Sequence, residues 1–184
     1  YVVQEEHLKN VLSLLLQEEH IVIIEGRAGT GKTTIAIGVA HNPQVQIKFL
    51  GGIYWINGFR ISNEIGRIAH LASVVEALTG DKPNINSVHD GTLLVRELVG
   101  EQPCLFIVDE LDQELPAMPT MKEIVQYVES LSPQGTILIT TRSSSNLRVT
   151  SEVYENKSAN EISPDLISRA TEILLPYMAT EDER

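Results

Sequence analysis

The fold is decided by the stretch Gly26-Arg27-Ala28-Gly29-Thr30-Gly31-Lys32-Thr33-Thr34. Its spacing matches the pattern G-x-x-x-x-G-K-[ST], in which glycines let successive backbone N–H groups converge on phosphate oxygens. The apolar run Ile21–Ile24 comes before it and predicts a strand buried on both faces of a parallel sheet. A helix predicted over Lys32–His41 follows and ends before Pro43, and its positive N-terminal end would face the same phosphate. A plain glycine-rich turn would not require this strand and this helix.

The residue types of the loop predict the role of each side chain. Lys32 supplies a mobile point charge for the outer phosphates of a nucleotide. The Thr33 hydroxyl suits Mg²⁺, a hard ion that prefers oxygen ligands. We therefore expect the nucleotide to contact Gly29, Thr30, Gly31, Lys32, Thr33 and Thr34.

A second element places two acids after a buried strand, in Leu105-Phe106-Ile107-Val108-Asp109-Glu110. Open α/β sheets bind ligands at the carboxyl ends of their strands. Asp109 therefore suits the Mg²⁺ carboxylate of a Walker B strand, and Glu110 suits the catalytic role of orienting or deprotonating an attacking water. The alternative for both acids is a turn at the protein surface.

A third element is the predicted strand Thr136–Thr140, which ends in Thr141 and Arg142. The Arg142 guanidinium suits planar contact with a γ-phosphate, and Thr140 suits a position near a water bound to Mg²⁺. The alternative for Arg142 is a solvated arginine at a strand end.

Strands alternate with helices along the whole chain, which predicts an α/β fold with helices on both faces of the sheet. In full, we expect a three-layer P-loop NTPase with a mainly parallel, five-stranded sheet. The remaining predicted elements are a helix around Leu8–Leu15, a strand at Gly52–Ile56, helices around Ile61–Val75, Thr92–Val99 and Met121–Leu131, a fifth strand at Val149–Tyr154, and a last helix capped by Ser163 and lined by Leu166, Ala170, Ile173 and Tyr177.

Composition and charge narrow the possible partners. The 184 residues suit one domain, and the formal net charge of −11 disfavours broad binding to nucleic acid. The single cysteine, Cys104, cannot form an internal disulfide, and no apolar run approaches the length of a membrane span. We therefore expect a cytoplasmic protein that binds neither nucleic acid nor membrane.

The three elements in this order resemble the NB-ARC branch of the STAND P-loop NTPases, which includes apoptosome scaffolds, nematode-type caspase activators and plant resistance proteins. The strand region from Phe49 to Ile56 and the sequence Thr140-Thr141-Arg142 are also similar to that branch. The first eight residues resemble the N-terminal segment whose main chain holds the adenine, which implies that Val3 lies beside it. The chain departs at Asp109-Glu110, where the family usually has two aspartates, and at Glu5, where it commonly has an arginine.

The resemblance implies an adenine nucleotide, ATP or ADP, with Mg²⁺, and self-association or effector proteins as partners of the full-length protein. No Gly-Leu-Pro or Met-His-Asp motif of the following family domains occurs in the sequence. We therefore expect residues 1–160 to form the nucleotide-binding domain and residues 161–184 to form a helix that begins the helical domain.

The expected function is that of an ATP/ADP-binding switch in a signal-transducing ATPase of apoptotic or immune type. Its turnover would be at most that of a slow, Mg-dependent ATPase. One alternative is a P-loop metabolic kinase or another ATPase, which would need an acceptor pocket and an arginine-rich lid. The other is a nucleotide-binding interaction domain without turnover.

Overall fold

The computed structural model of the chain describes residues 2–17, 20–111, 119–142 and 170–174. The helices are α1 (Val2–Leu16), α2 (Lys32–Ala40), α3 (Pro43–Lys48), α4 (Glu64–Thr79), α5 (Val88–Val99) and α6 (Met121–Leu131). The strands are β1 (Ile21–Glu25), β2 (Gly52–Asn57), β3 (Cys104–Asp109), β4 (Gly135–Thr141) and β5 (Ala170–Leu174). A short 3₁₀ turn, Arg60–Ser62, lies between β2 and α4.

The strands form one parallel sheet in the order β2-β3-β4-β1-β5. Every residue of β3 is buried, and in β1 only Glu25 is partly exposed. Both apolar runs of the sequence, Ile21–Ile24 and Leu105–Val108, therefore lie inside the sheet, where helices cover both faces. The predicted α/β class with a parallel sheet between helices is confirmed.

Two hydrophobic cores lie on the two faces of the sheet. Phe106 and Val108 of β3 pack in the core that also holds buried residues of α4, α5 and α6. Leu105 and Ile107 pack in the other core, with buried residues of α1, α2 and α3. This division follows from the period of two along a strand, which sends alternate side chains to opposite faces.

The helix predicted across Ala170 and Ile173 is wrong for residues 170–174. These residues form β5, which pairs in parallel with β1 from Ala170 opposite Ile21 to Leu174 opposite Glu25. The physical reason is that β1 offers an unpaired edge there, and pairing satisfies backbone N–H and C=O groups that a weak local preference does not. The part of the predicted second domain that is described thus belongs to the sheet. The predicted strand at Val149–Tyr154 and residues 161–169 and 175–184 lie outside the described residues.

One helix was not predicted, and another begins earlier than predicted. The helix α3 was not predicted, although Asn42 accepts hydrogen bonds from the N–H groups of Gln44 and Val45 and Pro43 occupies the first turn. This arrangement of cap and proline is a common helix start. Helix α5 begins at Val88 and not at Thr92, because the Ser87 side chain accepts a hydrogen bond from the backbone of Asp90.

The parallel order of the strands brings the chemically interesting residues to one edge. The carboxyl ends of β1, β4, β3 and β2 carry, in that order, the glycine-rich loop, Arg142, Asp109 with Glu110, and Asn57. This edge is where an open α/β sheet binds its ligand. No described helix is both long and apolar enough to cross a bilayer.

Candidate functional site

The glycine-rich loop folds because two of its glycines adopt a backbone that other residues avoid. Gly29 has φ of 80° and Gly31 has φ of 90°. Both values lie in the left-handed region, which costs an L-residue with a side chain roughly 1–2 kcal/mol. Gly31 is also the N-cap of α2 and forms no side-chain cap. The loop therefore turns sharply and leads directly into the positive end of a helix.

Lys32 lies at the mouth of this loop. Its Nζ donates hydrogen bonds to the carbonyl oxygens of Gly26 and Arg27, over 2.6 and 2.8 Å. The loop carbonyls thus hold a partly buried ammonium group at the place where the sequence predicts phosphate. A long lysine side chain can exchange such carbonyls for phosphate oxygens without moving the backbone.

Asp109 connects the loop to the sheet. Its carboxylate is 6% exposed, and the Thr33 hydroxyl donates to it over 3.1 Å, at the first turn of α2. The hydroxyl of Thr140 at the end of β4 donates to the same carboxylate over 2.5 Å. A buried carboxylate is costly unless it accepts hydrogen bonds, and these two hydroxyls meet that need. The predicted Mg²⁺ ligands, Thr33 and Asp109, therefore lie in direct contact.

Glu110 follows Asp109 and leaves the sheet on a strained backbone. Its φ of 61° is the only positive value among the described residues other than glycine. Its N–H donates to the Thr140 hydroxyl over 3.0 Å, and the N–H of Leu111 donates to the Thr140 carbonyl over 3.0 Å. The Glu110 side chain is exposed to the cavity described next. Strain of this kind is frequent at functional sites and rare elsewhere.

A cavity of about 450 Å³ opens above these residues. Its lining residues are Ala28, Gly29, Lys32, Thr33, Asn57, Phe59, Arg60, Glu110, Thr140, Thr141 and Arg142. Three cationic side chains, Lys32, Arg60 and Arg142, share it with one exposed acid, Glu110. In a chain of net charge −11 this concentration of positive charge favours an anionic ligand.

The structure brings five of the residues predicted to bind nucleotide or to act in catalysis to the cavity lining, together with Thr140, and leaves the others outside it. Gly29, Lys32, Thr33, Glu110 and Arg142 line the cavity, and Asp109 lies beneath Thr33. Thr30, Gly31 and Thr34 do not line it, and the Thr30 hydroxyl donates to the Arg27 carbonyl inside the loop over 2.9 Å. Val3 lies in the first turn of α1, and its side chain is outside the described part of the chain. The roles assigned to all these residues stay predictions.

Sequence analysis selected no site residue in β2 or the turn after it, although three residues there line the cavity. Asn57, Phe59 and Arg60 reach the cavity from the strand farthest from the loop. Asn57 donates from Nδ2 to Oε2 of Glu110 over 3.1 Å, and its Oδ1 accepts the Arg60 N–H over 3.1 Å. A signal was present, since Asn57 is a polar residue that ends an apolar strand, as Asp109 does.

The described residues contain no group of three or more His, Cys, Asp and Glu side chains that could hold a metal ion. A magnesium–nucleotide site is of a different kind, because phosphates and water supply most of its ligands. The hydroxyl of Thr33 and the carboxylate of Asp109 are hard oxygen donors and fit such an ion. Together with the cationic cavity they fit a nucleotide site at the sheet edge of an α/β domain.

Comparison with known sequences identifies the family. The family model named NB-ARC domain matches residues 4–167, which is most of the chain. The chain therefore belongs to the NB-ARC family of P-loop nucleotide-binding ATPases. No curated protein sequence matches it.

Solved structures show the same fold at low sequence identity. Orc1 of Aeropyrum pernix in complex with DNA superimposes with a TM-score of 0.57 at 18% identity, over 96% of this chain and 46% of that one. Cdc6p of Pyrobaculum aerophilum gives 0.54 at 16% identity, over 92% and 44%. Drosophila ORC bound to DNA gives 0.53 at 16% identity, over 94% and 42%. The chain thus spans less than half the length of these proteins, and the likeness concerns the fold alone.

Proposed function

We propose that this domain is the ATP/ADP switch of a signal-transducing STAND ATPase of apoptotic or immune type. The observation that carries the proposal is the contact of the buried Asp109 carboxylate with the hydroxyls of Thr33 and Thr140, directly beside the glycine-rich loop. Three parts of the site meet in this contact: the helix after β1, the end of β3 and the end of β4. Membership of the NB-ARC family supports nucleotide binding as the activity that the contact serves.

The chain's own residues would hold the nucleotide through its phosphates. The N–H groups of the loop and the first turn of α2 would face the phosphates, and Lys32 would exchange two carbonyl partners for phosphate oxygens. Thr33 and Asp109 would hold Mg²⁺, which when bound neutralises charge on the outer phosphates. The adenine contact predicted at Val3 remains part of this proposal.

A switch requires a ligand that binds two conformations with different free energies. ATP and ADP differ by the γ-phosphate, and a group of this chain that senses it would lie at the carboxyl end of the sheet near Glu110. Arg142 follows β4, is exposed and lines the cavity, which supports its role as that group. Self-association or effector binding of the full-length protein would then follow from the conformation that ATP selects.

The direct test is to identify the nucleotide that leaves the purified protein on denaturation and to titrate the protein with Mg-ATP and Mg-ADP. We expect adenine nucleotide, and binding of both ligands by calorimetry. Lys32→Ala should weaken both roughly 10- to 150-fold, since hydrogen bonds to charged groups are worth about 1.5–3 kcal/mol. Arg96→Ala removes an exposed charge on α5, outside the cavity, and serves as the matched control. Equal affinities for wild type and Lys32→Ala would remove the phosphate-loop assignment.

Two of the similar structures are complexes with DNA, which makes DNA a ligand to test here. The net charge of −11 favours small anions in the cavity over a polyanionic duplex. We therefore propose that the protein is cytoplasmic and that nucleic acid is not among its partners. Fluorescence anisotropy with a labelled duplex at about 50 mM salt, where phosphate contacts are strongest, checks this point. Binding that disappears on raising the salt would assign a nucleic-acid surface to the domain.

A further inference from the structure

The turn after β2 carries a second arginine into the candidate site. Arg60 begins the 3₁₀ turn Arg60–Ser62, its side chain is exposed, and it lines the cavity together with Lys32 and Arg142. Sequence patterns gave no reason to select it. The position of Arg60 in the order of the strands indicates which part of a nucleotide its side chain would contact.

The order of the strands places Arg60 far from the phosphate loop and next to Glu110. The loop follows β1, whereas β2 is separated from β1 by β3 and β4. The strand β3, which ends in Asp109, therefore lies between β2, followed by Arg60, and β4, followed by Arg142. The two arginines thus approach the Glu110 region from the two flanking strands. In a nucleotide held by the loop, this is the side of the terminal phosphate and of an attacking water.

The side chain of Asn57 connects the backbone of Arg60 to Glu110. The Asn57 amide accepts the Arg60 N–H at Oδ1 and donates from Nδ2 to the Glu110 carboxylate, each over 3.1 Å. The Arg60 backbone and the Glu110 carboxylate are therefore connected through a single planar group. The Arg60 side chain and the Glu110 carboxylate line the same cavity, where a guanidinium can meet an oxyanion.

The helix α4 holds the same turn from the other side. Nε of Arg67 donates to the Ile61 carbonyl over 2.9 Å. Gly66 packs so closely on the turn that an added Cβ would lie 1.6 Å from the Arg60 carbonyl oxygen. The turn therefore has a fixed backbone, while the Arg60 guanidinium reaches into the cavity. The fixed backbone sets the point from which the exposed Arg60 side chain reaches a ligand.

We propose that Arg60 contacts the terminal phosphate of ATP and, with Arg142 on the other side of Glu110, distinguishes ATP from ADP. This inference rests on the proposed nucleotide-binding function. It adds a specificity-determining residue in the turn after β2 to a site whose predicted parts follow β1, β3 and β4. It also explains why an acidic chain places three of its 14 Lys and Arg side chains in one cavity.

The test compares dissociation constants for Mg-ATP and Mg-ADP among wild type, Arg60→Ala, Arg60→Lys, Arg96→Ala and Lys32→Ala. Arg60→Ala should weaken Mg-ATP about tenfold and Mg-ADP less than about twofold, the size expected for one exposed charge-assisted contact. Arg60→Lys should restore part of the ATP affinity, because it keeps the charge and loses the planar fork. Arg96→Ala should match wild type for both ligands. Thermal unfolding should be unchanged in Arg60→Ala, since the side chain is exposed.

The outcomes separate this inference from the function on which it rests. If wild type binds nucleotide and Lys32→Ala loses both ligands, but Arg60→Ala behaves like Arg96→Ala, the inference about Arg60 is wrong and the function stands. Equal weakening of ATP and ADP by Arg60→Ala also overturns the inference, because the contact would then lie elsewhere on the nucleotide. If wild type binds neither ligand, the proposed function fails and Arg60 loses its role with it.

Discussion

Asn57 and Glu110 are joined across the carboxyl ends of β2 and β3 by a hydrogen bond of 3.1 Å from Nδ2 to Oε2. The parallel register sets Asn57 opposite Asp109, so the amide lies one residue from the acid it contacts. The bond engages one carboxylate oxygen and leaves the other for water. Glu110 is therefore oriented by a neighbouring strand as well as by its own backbone.

Asn57→Asp tests whether this orientation matters for hydrolysis. The substitution keeps the size of the side chain and the oxygen that accepts the Arg60 N–H, but it replaces the donor to Glu110 with a second carboxylate. Repulsion should displace Glu110, and any phosphate release should fall at least about tenfold, because an attacking group must be held within a narrow range of positions. Phosphate release from Mg-ATP and the ATP dissociation constant should be measured together.

The control for this prediction is Asn84→Asp, which adds the same charge at an exposed position between α4 and α5. It should leave phosphate release and ATP affinity at wild-type values. Undiminished phosphate release by Asn57→Asp would mean that Glu110 needs no orientation from β2.

Arg142→Ala tests discrimination between ATP and ADP from the other side of Glu110. If Arg142 meets the γ-phosphate, its loss should weaken Mg-ATP about tenfold and leave Mg-ADP nearly unchanged, as for one charge-assisted contact. Calorimetry with both ligands, and with Arg96→Ala as control, provides the comparison. A parallel loss of ATP and ADP affinity would make Arg142 a structural residue of the strand end.

The site residues that could be predicted from the sequence are those marked by a pattern in their own segment. The glycine loop, Asp109 and Arg142 were predicted because each follows directly from a strand or a motif in the same segment. Asn57 and Arg60 were missed because their role depends on β2 pairing with β3, a contact between residues that are distant along the chain. A single sequence does not specify that neighbour relationship.

The fold was predicted on the same basis, and one of its errors has the same cause. Buried strands such as Leu105–Val108 stand out because a short apolar run between polar residues is typical of a strand covered on both faces. The segment Ala170–Leu174 was predicted as helix because Ala170 and Ile173 fit a helical period. The edge of β1 decided its structure, and this edge is a property of the assembled sheet. The helix α3 was missed although Asn42 and Pro43 gave a local signal.

Thr140→Val tests the energetic weight of the contact that underlies the proposed function. Valine keeps the shape but removes the hydroxyl that donates to Asp109 and accepts from the Glu110 N–H. The free energy of unfolding should fall by about 1–3 kcal/mol, because a buried carboxylate and a backbone N–H both lose a partner. Urea unfolding of the variant and of wild type measures this difference.

Thr136→Val is the matched control on the same strand. Thr136 is buried to a similar degree, and its hydroxyl makes no hydrogen bond among the described residues. Its replacement should change the free energy of unfolding by less than about 0.5 kcal/mol, as for a substitution that breaks no specific contact. Equal effects at the two positions would mean that loss of a buried hydroxyl, and not the contact with Asp109, determines stability.

The lowered pKa of His70 should reduce the free energy of unfolding at mildly acidic pH. His70 belongs to α4, and its Nδ1 lies 2.8 Å from the hydroxyl of Tyr127 on α6. Burial lowers the pKa of His70 to about 4. The unfolded chain titrates its histidine near pH 6.5, so between about pH 6.5 and 4 the unfolded state binds a proton that the folded state does not. The contribution of His70 therefore lowers the free energy of unfolding as pH falls through this window, by about 2 kcal/mol between pH 7 and 5.

Urea unfolding at pH 7 and pH 5 measures this fall, and His70→Gln should remove most of it. Two acids of α6 also have shifted pKa values: hydrogen bonds from Thr120 lower the pKa of Glu123, and burial raises the pKa of Glu129. The contribution of His70 is therefore the difference between the pH dependence of wild type and that of His70→Gln. His89→Gln, at an exposed position of α5, should retain the wild-type dependence. An unchanged dependence in His70→Gln would place the pH-sensitive group elsewhere.

Glu110→Gln tests the assignment of the base. Glutamine keeps the size and the hydrogen bond from Asn57 but cannot accept a proton from water, and general-base catalysis contributes about 10²–10⁴-fold. Any phosphate release should therefore fall at least about a hundredfold, while ATP affinity stays within about threefold of wild type, because the residue acts on water and not on the phosphates.

We expect slow release even in wild type, since transition-state charge often requires an arginine from a partner. Wild-type turnover near the ~10 s⁻¹ of a median enzyme would favour a metabolic kinase or ATPase over a switch. Full activity in Glu110→Gln would show that another group, or the substrate itself, takes the proton.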